Sequence, residues 1–197
     1  MSERAGDRRR HAAAALVASL GLVVAVPVAR SDVFHTPREL LASHFSGSDH
    51  VGFVRVRPEG AARARIERRL GRRLGAGPFV FYRATTGGRP DGYALFDSER
   101  GQHELIDIGT FFGPEGAVRR VEVLAFREPY GDGVRSPRFL RQFVGTRASS
   151  PLRVGRDVDA ISGATISSHS VARAVRRAAV LLEEAVLPAG TDSLTMR

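Results

Sequence analysis

Residues 78–126 read PFVFYRATTGGRPDGYALFDSERGQHELIDIGTFFGPEGAVRRVEVLAF. Short apolar runs alternate here with clusters of Gly, Pro, Asp and Ser, the pattern of strands joined by turns. Pro78–Thr85 ends in the loop Thr86–Gly92, and Tyr93–Phe96 is closed by Asp97–Gly101. Glu104–Phe112 runs into the turn Gly113-Pro114-Glu115-Gly116, and Val118–Phe126 runs back. Proline presets one backbone angle of that turn and glycine permits the positive one. Short connections between four successive strands imply an antiparallel meander. Helical patterns lie before and after it, so the expected fold class is α+β, with helices packed at one side of the sheet.

Upstream, Thr36 and Pro37 suit the cap and first position of a short helix, Pro37–Phe45. Val51–Arg57 alternates as a strand. Glu59–Leu74 reads as a charged helix with a narrow stripe of Ile66, Leu70 and Leu74. Downstream, a helix over Ser136–Phe143 carries Phe139, Leu140 and Phe143 and is stopped by Gly145. Thr146–Arg156 is connecting loop. The last helix is expected over Ser168–Leu187, where Val171, Val175, Ala178, Leu182 and Val186 recur at steps of three and four. Ser167 or Ser168 is its natural N-cap.

The N-terminus is basic at Arg4 and Arg8–Arg10, and an apolar run follows from Ala12 to Ala29. Its 18 residues lie at the short end of the range of about 17–25 that spans a bilayer. A cationic start before such a run reads as a signal peptide or membrane anchor. The remainder is then periplasmic or otherwise extracytoplasmic, anchored to the inner membrane or secreted after cleavage. The chain thus divides into 1–30 (signal peptide or anchor), 31–75 (a helical and extended lead-in), 76–187 (the main domain) and 188–197 (a disordered tail).

Composition narrows the chemistry. The absence of Cys excludes disulfides, thiolate metal sites, iron–sulfur clusters and thioether-linked haem. The six His lie far apart and without metal-ligand spacing, so no metal site is expected. The net charge is +9, and all 30 basic residues are Arg. That sign suits anionic lipid or an acidic redox partner. No nucleic-acid-binding signature is present, and nucleic acid is not an expected partner.

One stretch carries candidate chemistry: Asp159-Ala160-Ile161-Ser162-Gly163-Ala164-Thr165-Ile166-Ser167-Ser168. Gly163 and Ala164 let a phosphate approach the backbone, and a helix start beside the Thr165 hydroxyl favours negative charge. A non-covalent module holding a phosphorylated ligand would use the same features. No nucleophile–base pair or carboxylate dyad stands out, so no catalytic residue is assigned.

Asp159–Thr165 resembles the flavinylation motif of the FMN-binding domain family, found in the C subunit of the sodium-pumping NADH:quinone reductase and the G subunit of the Rnf complex. The resemblance implies FMN joined by a phosphoester to Thr165, with Asp159 the matching aspartate and Ser162, Gly163 and Ala164 close to the cofactor. Upstream, Glu128-Pro129-Tyr130-Gly131-Asp132-Gly133 is similar to a second family loop, with altered spacing and an intruding Tyr130. It implies cofactor contacts from Glu128, Tyr130 and Gly131. Tyr130, Phe139 and Phe143 are candidate neighbours of the flavin ring, or plain core. The implied partners are a flavin transferase that uses FAD and Mg for attachment, and redox proteins of the membrane or envelope. The implied function is an exported electron-transfer flavoprotein, an electron carrier and not a stand-alone enzyme, passing electrons from a membrane-associated donor to an extracytoplasmic acceptor; the alternative is a module of the cell envelope that holds FMN without a covalent bond.

Overall fold

The computed structural model describes residues 32–187. The expected signal or anchor and the expected tail therefore lie outside the described residues. Among the described residues no helix is long and apolar enough to cross a membrane.

Six strands form one antiparallel sheet: β1 (Asp32–Val33), β2 (His50–Val56), β3 (Phe79–Thr86), β4 (Arg89–Arg100), β5 (Leu105–Phe112) and β6 (Val118–Phe126). Their order is β1-β6-β5-β4-β3-β2, so β2 to β6 make a five-stranded meander and β1 pairs with its β6 edge. The α+β meander is as the sequence implied.

The strands are longer than their apolar runs. The loop expected at Thr86–Gly92 tightens to Gly87-Gly88, whose φ values of 55° and 79° match the right-handed twist of the flanking strands. Thr86 then pairs with Arg89, and Pro90 is accommodated where the register shifts between Ala84 and Thr85. At its other end β4 continues through Asp97–Arg100, paired with Leu105–Ile108.

One face of the sheet carries most of the helices. Phe81, Tyr93, Leu95, Ile106, Ile108, Phe112, Val121 and Val123 meet α2 (Gly60–Leu70), α4 (Thr165–Ala185) and the Phe139–Phe143 segment in one apolar core. The helix expected over Glu59–Leu74 stops early because Gly71 adopts φ 68° and its amide closes on Glu67 and Arg68 carbonyls. Leu74 still packs in the core beyond that stop. The expected Ser136–Phe143 helix is broken into α3 (Pro137–Leu140) and a 3-10 turn at Arg141–Phe143, preceded by another at Asp132–Arg135. Its apolar side chains are nonetheless buried, with Phe139 and Phe143 packed edge to face at 5.4 Å.

The opposite face is sealed in part by α1 (Pro37–His44). Thr36 and Glu39 form a reciprocal capping box, and Leu40 and Phe45 cover Ala84, Ala94, Phe111 and Leu124.

An ion cluster ties α4 to β4. Arg177 is buried and pairs with Asp97 at 2.6 Å and with buried Glu99; Arg72 (3.0 Å) and Arg173 (3.2 Å) complete the set around Glu99. Burial alone would raise the Glu99 carboxyl, but the hydrogen bond and charge of Arg177, joined by Arg72, outweigh it and hold it below the ordinary range. Arg177→Ala leaves Glu99 without its fully buried partner and is expected to cost about 3–5 kcal/mol by urea denaturation. Because Glu99 is depressed in the folded state, its contribution is present above the ordinary glutamate value of about 4.3 and is lost as pH falls below it. Acid titration of Glu99→Gln should show a shallower loss of stability in that window than the parent chain.

Candidate functional site

Two loops meet at one end of the sheet. Gly131 has φ 95° and lies against α4, so an added Cβ would stand 2.7 Å from Ser167 Oγ and 3.5 Å from Ala164 Cβ. At Gly133 an added Cβ would stand 2.8 Å from Ile161 Cγ2. The Glu128–Gly133 loop and the Asp159–Ser168 stretch, some thirty residues apart in sequence, thus approach at two glycines where a side chain would have to push its neighbour aside.

Helix α4 begins at Thr165, three residues before its expected start. Ile161–Ala164 closes a turn, with the Ala164 amide donating to the Ile161 carbonyl at 2.9 Å and Gly163 at φ 76°. That geometry puts Ala164 at the cap position and the two expected cap residues, Ser167 and Ser168, inside the first turn. Both are buried. Ser168 Oγ donates to the Ala164 carbonyl at 2.9 Å and accepts from the Ile161 amide at 3.2 Å, fastening the loop to the helix. No side chain caps the helix, and among the described residues the amides of Thr165, Ile166 and Ser167 have no acceptor. The Thr165 side chain in this first turn is exposed.

The other site residues divide by what they touch. Ser162 and Gly163 are exposed at the turn, and Ala164 is buried beneath it. Asp159 is exposed, and no hydrogen bond or ion pair engages its carboxylate among the described residues. Its main chain is gripped instead by Gln142, whose Oε1 accepts from the Asp159 amide at 2.8 Å and whose Nε2 donates to its carbonyl at 3.3 Å. Glu128 turns inward: its Oε1 accepts from the His103 amide (2.7 Å) and the Glu104 amide (3.0 Å), bracing the β4–β5 turn. Tyr130 stands 80% exposed beside Gly131. Phe139 and Phe143 are fully buried core.

Gln142 and the Glu99–Arg177 cluster escape a reading of the sequence by motif. Nothing local marks Gln142. Glu99 does leave a trace, since continuing the period of two from Tyr93 and Leu95 puts Asp97 and Glu99 on the core-facing side of β4.

A helix start with free amides, small residues beside it and an exposed hydroxyl come together here, features that suit a phosphorylated ligand. Residues 104–180 match the family model of the FMN-binding domain, which supports an FMN-binding domain over that stretch with FMN as its cofactor. The match runs from the β4–β5 turn into α4 and includes both loops. No curated protein matches the chain.

The residues present fit that cofactor, because the unpaired first-turn amides offer donors for a phosphate and Thr165, Ser162 and Gly163 beside them are exposed. Gly131→Val should force the two loops apart, through both the left-handed backbone and the clash with Ser167. The expected cost is about 1–3 kcal/mol of strain. Amide hydrogen exchange should show protection lost selectively at the Ile161, Ala164 and Ser168 amides, with the β3–β5 strands unchanged.

Proposed function

We propose that FMN is attached through its phosphate to the Thr165 hydroxyl, making this chain an exported electron carrier between a membrane-associated donor and an extracytoplasmic acceptor. The observation that carries this reading is the uncapped start of α4. Three unpaired amides lie in the same helical turn as the exposed Thr165, where a side-chain cap would ordinarily compete with a ligand. Bound FMN would supply reversible electron uptake at its ring.

The chain's own residues do the rest. The amides of Thr165, Ile166 and Ser167 donate to the phosphate oxygens, and the helix dipole adds about 0.3–1 kcal/mol toward the remaining negative charge. A tether at an open surface removes the dissociation problem outside the cytoplasm. Tyr130, exposed beside Gly131, offers an aromatic face next to the attachment point. Asp159, held at its main chain by Gln142 with its carboxylate free, is available to assist the attachment reaction on a Mg-dependent flavin transferase that takes FMN from FAD.

Co-expression with a flavin transferase tests the linkage. The denatured chain should fluoresce as a flavin band on a gel, and Thr165→Ala should be dark while folding normally. A yellow ligand that leaves on denaturation would replace the ester with a non-covalent site. Asp159→Asn should slow attachment in a time course with purified transferase and FAD without changing the unfolding midpoint, since the side chain is exposed. An unchanged rate would remove Asp159 from the reaction.

A further inference from the structure

The direction in which the chain enters the sheet bears on what the flavin-loop end faces. Asp32 pairs with Phe126 and Val33 with Ala125, so the first residue of β1 lies beside the last residue of β6. From that residue the Glu128–Gly133 loop departs. Arg100 pairs with Leu105 and Ile106 with Phe126, placing the β4–β5 turn at the same end. The start of α4 is there too, because Ser170 Oγ donates to the Arg100 carbonyl at 2.7 Å. The incoming chain is also clasped to this end: the Arg135 guanidinium lies 3.2 Å over the Phe34 ring, just after the Gly131 loop. The other end of the sheet holds the Gly87-Gly88 turn, the Gly113–Gly116 turn and the close of α4, where Leu187 reaches Gly116.

Large apolar side chains left in water gather at the first end. Val33 (63% exposed), Leu105 (45%), Tyr130 (80%) and Ile166 (47%) all belong to it, four of the seven such residues among those described. Isolated exposed apolar residues need no explanation, but a set contributed by four separate segments to one end does. The apolar run 12–29 ends only two residues, Arg30 and Ser31, before β1. Three Cα steps of about 3.8 Å limit the separation to about 11 Å.

We infer that this end of the domain is a membrane-contacting surface, with Val33, Leu105, Tyr130 and Ile166 resting in the headgroup region of the bilayer that holds residues 12–29. The inference rests on the anchor reading of that run and not on the ester at Thr165. Apolar and aromatic side chains favour the bilayer interface, and the tether is too short to let the far end turn toward the lipid. The flavin attachment point then faces the membrane, and the redox partner it meets is one whose reactive group lies at or within that surface.

The chain has no Cys, so single cysteines give unique labels. Leu105→Cys, Tyr130→Cys and, at the far end, Glu115→Cys would each be made in the full chain and labelled with an environment-sensitive fluorophore. Each would be reconstituted in phosphatidylcholine–phosphatidylglycerol vesicles with or without headgroup-spin-labelled lipid. Emission from positions 105 and 130 should be lost in the spin-labelled vesicles, while that from position 115 persists. Equal quenching at all three, stronger quenching at 115, or a chain that stays out of the vesicle fraction would overturn the inference. Flavin fluorescence of the unlabelled chain on a denaturing gel, scored separately, keeps a failure here distinct from a failure of the Thr165 linkage.

Discussion

The pairing of Arg177 with Asp97 and Glu99 fixes where the functional end of α4 lies. The buried face of that helix is a run of Val, Ala and Leu against an apolar sheet, a contact that is non-directional and tolerates sliding. A buried ion cluster has directions. Arg177 reaches Asp97 and Glu99 on one strand, Arg173 reaches Glu99 and the Arg100 carbonyl, and Ser170 reaches that same carbonyl. The net stabilisation of such a cluster over a hydrophobic equivalent is small, because desolvating the charges offsets most of the attraction. Its consequence is registry. With positions 170, 173 and 177 bound to residues 97–100, the first turn of α4 comes to rest against the Gly131 loop.

Around that first turn, side chains serve mainly to brace the backbone. Glu128 holds the β4–β5 turn, Gln142 holds the main chain of Asp159, and Ser168 holds the Ile161 turn to its own helix. Gly131 and Gly133 contribute by having no side chain, which lets two loops approach to contact. Each brace comes from a different element, so the loops are positioned by the whole domain and not by one another alone. The residues left free by this arrangement are Thr165, the first-turn amides and the Asp159 carboxylate.

The meander was legible because its turns are written in Gly and Pro and its strands in aromatic and β-branched residues. The stretch 159–168 was legible because small residues and hydroxyls before an amphipathic run have few structural uses. The lengths were not. β4 extends through Asp97–Arg100 since its charged residues find partners on α4, 78 and 80 residues away in sequence, which no local pattern reports. The cap of α4 was misplaced for a related reason. Ser167 and Ser168 have the right chemistry for a cap, but the turn at Gly163 starts the helix earlier and uses Ser168 to tie back the loop. Propensity names residues that can cap; the tertiary path of the chain decides which one stands at the end.

Ala164 at the cap position breaks a local rule in an informative way. Ser, Thr, Asp or Asn there would stabilise the helix by roughly 1 kcal/mol relative to Ala. The short α1 is closed by a full capping box at Thr36 and Glu39, whereas α2, like α4, starts without a side-chain cap. The longest helix of the domain forgoes that gain at the one terminus that borders an exposed hydroxyl and a glycine-built contact. Local rules are broken most often where a site needs the group that the rule would consume. Here that group is a set of backbone donors. A side-chain oxygen at position 164 would satisfy one of them internally, whereas a phosphate can satisfy several at once. The uncapped end and the exposed Thr165 lie within the stretch that matches the FMN-binding domain, and a phosphate placed there would complete donors that the helix itself leaves unpaired.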